Sequence, residues 1–215
     1  MAHITVLGGT GYAGAAIAGE AAARGHTVVA VSRSAPESPD SAVGFVSGDA
    51  RDSGFLTDLV SKTEVVILTL SPRGDMLGKV KETAEKLIPL AAEHHVRLGV
   101  IGGAGSLRVA PNGPRLIETE AFPEGAKPEA YELTDVWGQL KRADNGLDWF
   151  YLSPAAGFGS YNPGERTGSY RTDDSGVLLT DENGNSDLSA QDLAIAVIDE
   201  LDQPRYRRTR FAVAY

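Results

Sequence analysis

The stretch Ile4–Gly25 constrains this chain more than any other. It runs Ile4-Thr5-Val6-Leu7, then Gly8-Gly9-Thr10-Gly11-Tyr12-Ala13-Gly14, then an alanine-rich segment to Arg24, and a second apolar run, Thr27–Val31, follows at once. A short apolar run, a glycine-rich turn and a helix-forming segment make a strand–turn–helix unit that feeds a second strand. Glycines in such a turn suit the pyrophosphate of a dinucleotide. The turn needs a residue free of Cβ strain, the backbone must approach the phosphates, and the helix must pack closely on its strand. The helix N-terminus adds unpaired N–H groups and the positive end of its dipole. Two registers fit: Gly9-Gly11-Gly14 has GxGxxG spacing and Gly8-Gly11-Gly14 has GxxGxxG spacing.

The tip of the second strand selects between cofactors. An acidic residue about 20 residues past the glycine turn holds the ribose 2′-OH of NAD. Here the tip reads Ser32-Arg33-Ser34, with no acid. A guanidinium pairs bidentately with a 2′-phosphate and stacks on adenine, so Arg33 with Ser32 favours NADP(H) over NAD(H).

Composition excludes several classes. Net charge is −9 and the pI about 4.9, so no positive field draws in a nucleic-acid backbone. The cluster Arg205, Arg207, Arg208 and Arg210 is short and reads as a solvated strand edge. With no cysteine there is no disulfide, thiolate nucleophile or cysteine-bound zinc. His94 and His95 are adjacent and share no helix face, so no metal site is expected. No signal peptide and no membrane-spanning run are read, and a cytoplasmic protein, monomer or homodimer, is the expectation. A chain of 215 residues suits one domain (1–215), with substrate-side insertions near 108–130 and 157–188.

The remaining elements alternate. After the polar loop Ala35–Asp40, Gly44–Ser47 reads as a third strand, and Asp52 or Ser53 caps a helix through Val60. Glu64–Leu70 is a continuous apolar run, the pattern of a central strand covered on both faces. A helical stretch from Asp75 to His95 carries Pro89, which should kink or split it. Leu98–Ile101 is strand five and enters a second glycine corner, Gly102-Gly103-Ala104-Gly105-Ser106-Leu107, which places Ser106 to meet substrate or cofactor. The stretch 108–127 reads as a long loop, and Tyr131–Asn145 as a helix stopped at Asn145-Gly146. Asp148–Leu152 is strand six. Val177–Thr180 with the Asn183-Gly184 turn suggests a small hairpin or extra strand pair. Ser189 and Asp192 have capping-box spacing before a helix to about Leu201, and Arg210–Ala214 closes the chain.

These residues together resemble an atypical short-chain dehydrogenase/reductase, essentially from Ile4 to Tyr215. The resemblance rests on the first glycine turn, the corner Gly102–Leu107, Phe122-Pro123, Leu147-Asp148-Trp149, Ser153-Pro154-Ala155-Ala156, Gly164–Gly168 and Arg208–Phe211. More narrowly the chain is similar to bacterial NADH-flavin reductase and NAD(P)-binding epimerase-like proteins, and distantly to biliverdin reductase B. The GxxGxxG register is that of short-chain dehydrogenases and is given more weight. The resemblance implies an α/β fold, a Rossmann-type doubly wound parallel sheet of order 3-2-1-4-5-6 plus a seventh strand, helices on both faces and a small C-terminal substrate-side appendage. It places Gly8, Gly9, Thr10, Gly11, Tyr12, Ala13 and Gly14 at the pyrophosphate, Arg33 at the 2′-phosphate, and Asp49 and Ala50 at the adenine. Leu70 and Ser71 fall near the nicotinamide ribose, and Gly103, Ser106, Pro154 and Ala155 beside the nicotinamide.

One departure redirects the chemistry. Standard members carry Tyr-x-x-x-Lys on the helix after strand five, but here Tyr131 is followed by Asp135, and Lys141 is preceded at that spacing by Trp137. No activated phenol stands ready as acid or base. A hydride acceptor that takes its proton from water escapes this need, so an NADPH-dependent reductase of a flavin, quinone or similar flat acceptor is expected. Trp137, Phe158 and Tyr161 are the candidate stacking groups, and Ser106 the candidate catalytic group. The alternatives are a non-catalytic NADP(H) sensor and an epimerase-like enzyme.

Overall fold

The computed structural model describes residues 1–35, 41–143 and 146–215. Most of the loop Ala35–Asp40 and the helix stop at Asn145 therefore lie outside the described residues.

Eight strands form one sheet of order β3-β2-β1-β4-β5-β6-β8-β7. They are β1 His3–Leu7, β2 Thr27–Ser32, β3 Gly44–Ser47, β4 Val65–Leu68, β5 Arg97–Ile101, β6 Trp149–Ser153, β7 Arg171–Asp173 and β8 Thr209–Ala214. The expected order of the first six holds, β8 is the added parallel strand, and β7 runs antiparallel on the outer edge. Neighbouring side chains of a strand point to opposite faces, so a strand covered on both sides is apolar throughout. In β4, Val65 and Ile67 enter one core while Val66 and Leu68 enter the other, and in β6 Phe150 and Leu152 oppose Trp149 and Tyr151 in the same way.

Helices α1 (Tyr12–Ala23) and α5 (Ala190–Asp202) cover one face, through Ile17, Ala21, Ala194 and Val197. Helices α2 (Ser53–Val60), α3 (Lys79–Glu93) and α4 (Lys127–Arg142) cover the other, through Leu56, Leu87 and Val136. Local signals fix several ends. Gly25 takes φ +83° just past α1, and Asp52 accepts the Phe55 N–H at 2.8 Å to start α2.

Three expectations change. Pro89 does not split α3, which runs unbroken past it. Pro89 and Glu85, whose carbonyl loses its helix partner, both sit on the exposed face, open to solvent. Helix α4 begins at Lys127 rather than Tyr131, with Pro128 in its first turn, where a missing N–H costs nothing. Val177–Thr180 builds no hairpin strand; Arg108 donates to Gly176 O and accepts from Leu178 N–H at 2.9 and 2.8 Å, so this segment clips to the loop after β5. The turn at Asn183-Gly184 does form, closed by Asp181, which accepts from Asn185 N–H at 2.7 Å.

Candidate functional site: the cleft at the strand ends

In a doubly wound sheet the crevice lies beyond the carboxyl ends of the strands, where the order reverses. Here β1 sits between β2 and β4, and a cleft of about 540 Å³ opens there. The turn after β1 forms its floor. Gly8 has φ +86°, and its N–H donates to Val31 O at 2.9 Å. Gly11 is the N-cap of α1, where no side chain caps the helix and no acid stands in the first turn. Its first N–H groups are left without intrahelical partners. Thr10, Gly11, Tyr12 and Ala13 line the cleft, so this bare helix end points an anion-binding surface into it.

Gly9 and Gly14 shape this floor without lining it. A Cβ on Gly9 would press on Ala30, and one on Gly14 would press on Gly8 O and Thr69 Oγ1. Both glycines let the turn, β2 and α1 approach closely.

Ser32, Arg33, Asp49 and Ala50 line one end of the cleft. Arg33 is half exposed and pairs with Asp75 at 2.5 Å. Asp49 is gripped by Arg51, through Nε at 2.9 Å to both oxygens, and that pair pulls its carboxyl down to about 2. Its acceptor oxygens are thus already engaged on the arginine.

Leu70, Ser71, Gly103, Pro154, Ala155, Phe158 and Tyr161 line the rest, with Phe122 and Leu116. Phe158 packs on the Tyr12 ring with centroids 5.3 Å apart, and the Tyr12 hydroxyl donates to Pro163 O at 3.1 Å. The segment after β6 is thereby tied to the glycine turn. Beneath the second glycine corner, the buried Tyr151 hydroxyl accepts from Gly103 N–H at 3.4 Å and donates to Leu133 O at 3.0 Å.

Two candidates lie elsewhere. Ser106 is only 4 % exposed and off the cleft wall; its Oγ accepts from Arg210 Nη1 at 3.0 Å. It sits at the end of the 3₁₀ turn Ala104–Ser106, buried away from the cleft. Trp137 packs against the core, carrying Arg210 and Lys141 over its ring at 4.0 and 3.7 Å. Glu129, Ala130 and Leu133 form the cleft face of α4, and Ala126 lines the cleft just before it. Trp137 continues that stripe roughly 12 Å further along the axis than Glu129, past the end of the cleft.

Sequence reading missed two charged residues on the wall. Glu129, in the first turn of α4, accepts from Ser71 Oγ at 3.1 Å and from Arg73 Nε at 2.5 Å. Both Glu129 and Arg73 line the cleft. The usable signal was Pro128, which marks the helix start and puts Glu129 in its first turn.

The family model described as NAD(P)H-binding matches residues 8–204. A protein from Burkholderia pseudomallei, provisionally described as exported, is 39% identical, with all of both chains covered and a TM-score of 0.86. A provisional NADH-flavin reductase from Streptococcus pneumoniae is 31% identical over 100% of this chain and 99% of that one, with a TM-score of 0.89. A provisional epimerase from Bacteroides thetaiotaomicron is 29% identical over 99% and 96% of the two chains, with a TM-score of 0.87. Among the described residues, no helix is long and apolar enough to cross a membrane.

Proposed function

The chain belongs to the NAD(P)H-binding family, and from that premise we propose that it is an NADPH-dependent oxidoreductase that passes hydride to a flavin, a quinone or a similarly flat acceptor. The carrying observation is the composition of the cleft along its length. It has an arginine at the β2 end, a bare helix N-terminus in the middle, and Phe122, Phe158 and Tyr161 at the far end.

The residues fit the cofactor. The first-turn N–H groups of α1 would hold the pyrophosphate and Arg33 the 2′-phosphate. Ala50 would border the adenine, and Pro154 and Ala155 the nicotinamide. The nicotinamide supplies the hydride when bound. The chain's own task is positioning: the aromatic end presents flat apolar surface and keeps water from the reacting faces. Among the described residues no phenol–ammonium pair stands on the cleft wall: Tyr131 is 50% exposed, off the wall and followed four residues on by Asp135. An acceptor protonated by water suits such a site. The name of the Streptococcus relative agrees with this reading.

A second reading, an NADP(H) sensor that never turns over, draws on the same missing pair. An epimerase-like enzyme draws on the name of the Bacteroides relative but lacks the acid/base pair such chemistry uses.

The test has two stages. NADPH and NADH are titrated into the wild type and Arg33→Ala, following nicotinamide fluorescence; NADPH is expected to bind more tightly, with the preference lost in the variant. Steady NADPH oxidation on adding flavin or menadione then supports the reductase, and binding without turnover supports the sensor. If neither nucleotide binds, the cofactor reading of the cleft is wrong.

A further inference from the structure

Among the described residues, two carboxylates line the cleft, Asp49 and Glu129. Asp49 is occupied by Arg51 at the adenine end. Glu129 stands on the far side of the glycine turn, and no role is given to it by the reading above. Its side chain is 21% exposed, in a groove rather than on open surface. Ser71 Oγ donates to Oε1 and Arg73 Nε to Oε2. A carboxylate has about four lone-pair sites, so these two bonds leave about two free to accept from a ligand.

Its position selects the ligand. Ser71 follows β4, the strand beside β1 on the side away from β2. A dinucleotide whose pyrophosphate lies at the β1 turn and whose adenosine lies toward β2 carries its second ribose toward β4. That ribose presents a vicinal diol, two adjacent O–H donors. Glu129 is the carboxylate that lines the cleft on this side, and Tyr131, two residues further along α4, lies off the wall.

We propose that Glu129, braced by Ser71 and Arg73, accepts the hydroxyls of the nicotinamide ribose and sets the position of the nicotinamide over the Gly102–Gly105 corner. This rests on the NADP(H) reading of the cleft. Arg73 compensates the charge that the carboxylate brings into the groove. Serine and arginine together fix its two oxygens, so the free lone pairs have a set direction. Glu129 is a binding and positioning residue; it donates no proton in the reaction.

Two probes that share the adenosine end separate this role from a structural one. NADPH carries the second ribose, and 2′,5′-ADP ends before it. Calorimetric titration of both probes is made with wild type, Glu129→Ala, Glu129→Gln and Arg33→Ala. Loss of charge-assisted hydrogen bonds should weaken NADPH about tenfold or more in Glu129→Ala and leave 2′,5′-ADP unchanged. Glu129→Gln, which keeps one acceptor oxygen, should recover part of that loss. Arg33→Ala should weaken both probes. Wild-type NADPH affinity in Glu129→Ala overturns the proposal. Equal weakening of both probes also overturns it, because Glu129 would then act through the fold. Failure of the wild type to bind either probe overturns the cofactor reading itself and this inference with it.

Discussion

Two glycine-to-alanine changes in the same helix should shift stability in opposite directions. Gly14 lies in the first turn of α1 and Gly19 in its interior. In a helix interior alanine is better than glycine by about 0.5–1 kcal/mol, because the glycine chain loses more freedom on folding. At Gly19 an added Cβ meets nothing within 4 Å, so that gain should appear in full. At Gly14 the Cβ would fall inside van der Waals contact of Gly8 O and lie 2.7 Å from Thr69 Oγ1. The first obstacle is backbone, held by the Gly11 N–H to Gly8 O bond at 2.9 Å, so α1 must move off the turn. Overpacking of this kind costs about 1–3 kcal/mol, and contact with a fixed carbonyl puts the cost near the upper end. After the helix gain is subtracted, Gly14→Ala should lose about 1–2 kcal/mol. At about 2–4 °C per kcal/mol for a chain of this size, Tm should fall about 2–8 °C for Gly14→Ala and rise about 1–4 °C for Gly19→Ala. Thermal unfolding followed by circular dichroism measures both. NADPH titration should show weaker binding for Gly14→Ala alone, since only that change moves the helix N-terminus. Equal Tm values for the two variants would refute the argument that close approach, rather than helix propensity, fixes Gly14.

Other residues give further tests. Burial raises the Asp192 carboxyl, but donors from Tyr215, Thr167 and Gly168 outweigh it and hold the group below its ordinary value. A depressed carboxylate stabilises the fold above its unfolded value of about 3.9 and loses that contribution as pH falls through the folded value. Asp192→Asn should therefore cost about 1–3 kcal/mol at pH 7 and flatten the acid limb of a Tm-versus-pH curve below about pH 4; a limb as steep as wild type would refute the assignment. Tyr151→Phe removes a buried hydroxyl that links Leu133 O and Gly103 N–H. It should cost about 1–2 kcal/mol in urea unfolding, with weakened NADPH binding as the Gly102–Gly105 corner loosens. Tyr161 is 71% exposed at the cleft mouth, so Tyr161→Ala should leave Tm unchanged and raise KM for a flavin or quinone while NADPH affinity holds; an unchanged KM would remove Tyr161 from the acceptor site.

What the sequence made legible was set by the range of the interactions involved. Strands β1, β2, β4, β5 and β6 are covered on both faces, so their burial is written as predominantly apolar runs whatever their neighbours. The glycine turn was legible because its constraints act within a few residues: Gly8 takes a positive φ, and Gly14 must clear Gly8 O. Two segments depend instead on partners distant in the chain. Val177–Thr180 has the residues of a strand, but Arg108 takes its backbone bonds. Arg171–Asp173 has little strand character of its own and becomes one because β8 offers an open edge. Ser189 and Asp192 show both effects in one motif. Ser189 Oγ accepts the Asp192 N–H at 3.0 Å, as the local spacing predicts. The return bond is absent because the Tyr215 hydroxyl takes the Ser189 N–H at 3.1 Å, and Asp192 instead gathers Thr167 and Gly168.

The same division separates the residues of α4 that reach the cleft from the one that does not. Trp137 was singled out by residue type, and a large aromatic near a ligand cleft is a reasonable stacking platform. Which helical residues reach a cleft depends on axial position as well as face. Glu129, Ala130 and Leu133 reach it, whereas Trp137 lies about two turns past Glu129 and meets Arg210 of β8 instead. Once α4 is known to start at Lys127, its first two turns are the ones at the strand ends, and the only ionisable side chain they turn toward the cleft is Glu129. A polar group placed there must be satisfied from the opposite wall, and Ser71 and Arg73 stand on it. In its first two turns α4 turns no tyrosine–lysine pair toward the cleft, and what it does turn there is an acceptor braced by Ser71 and Arg73.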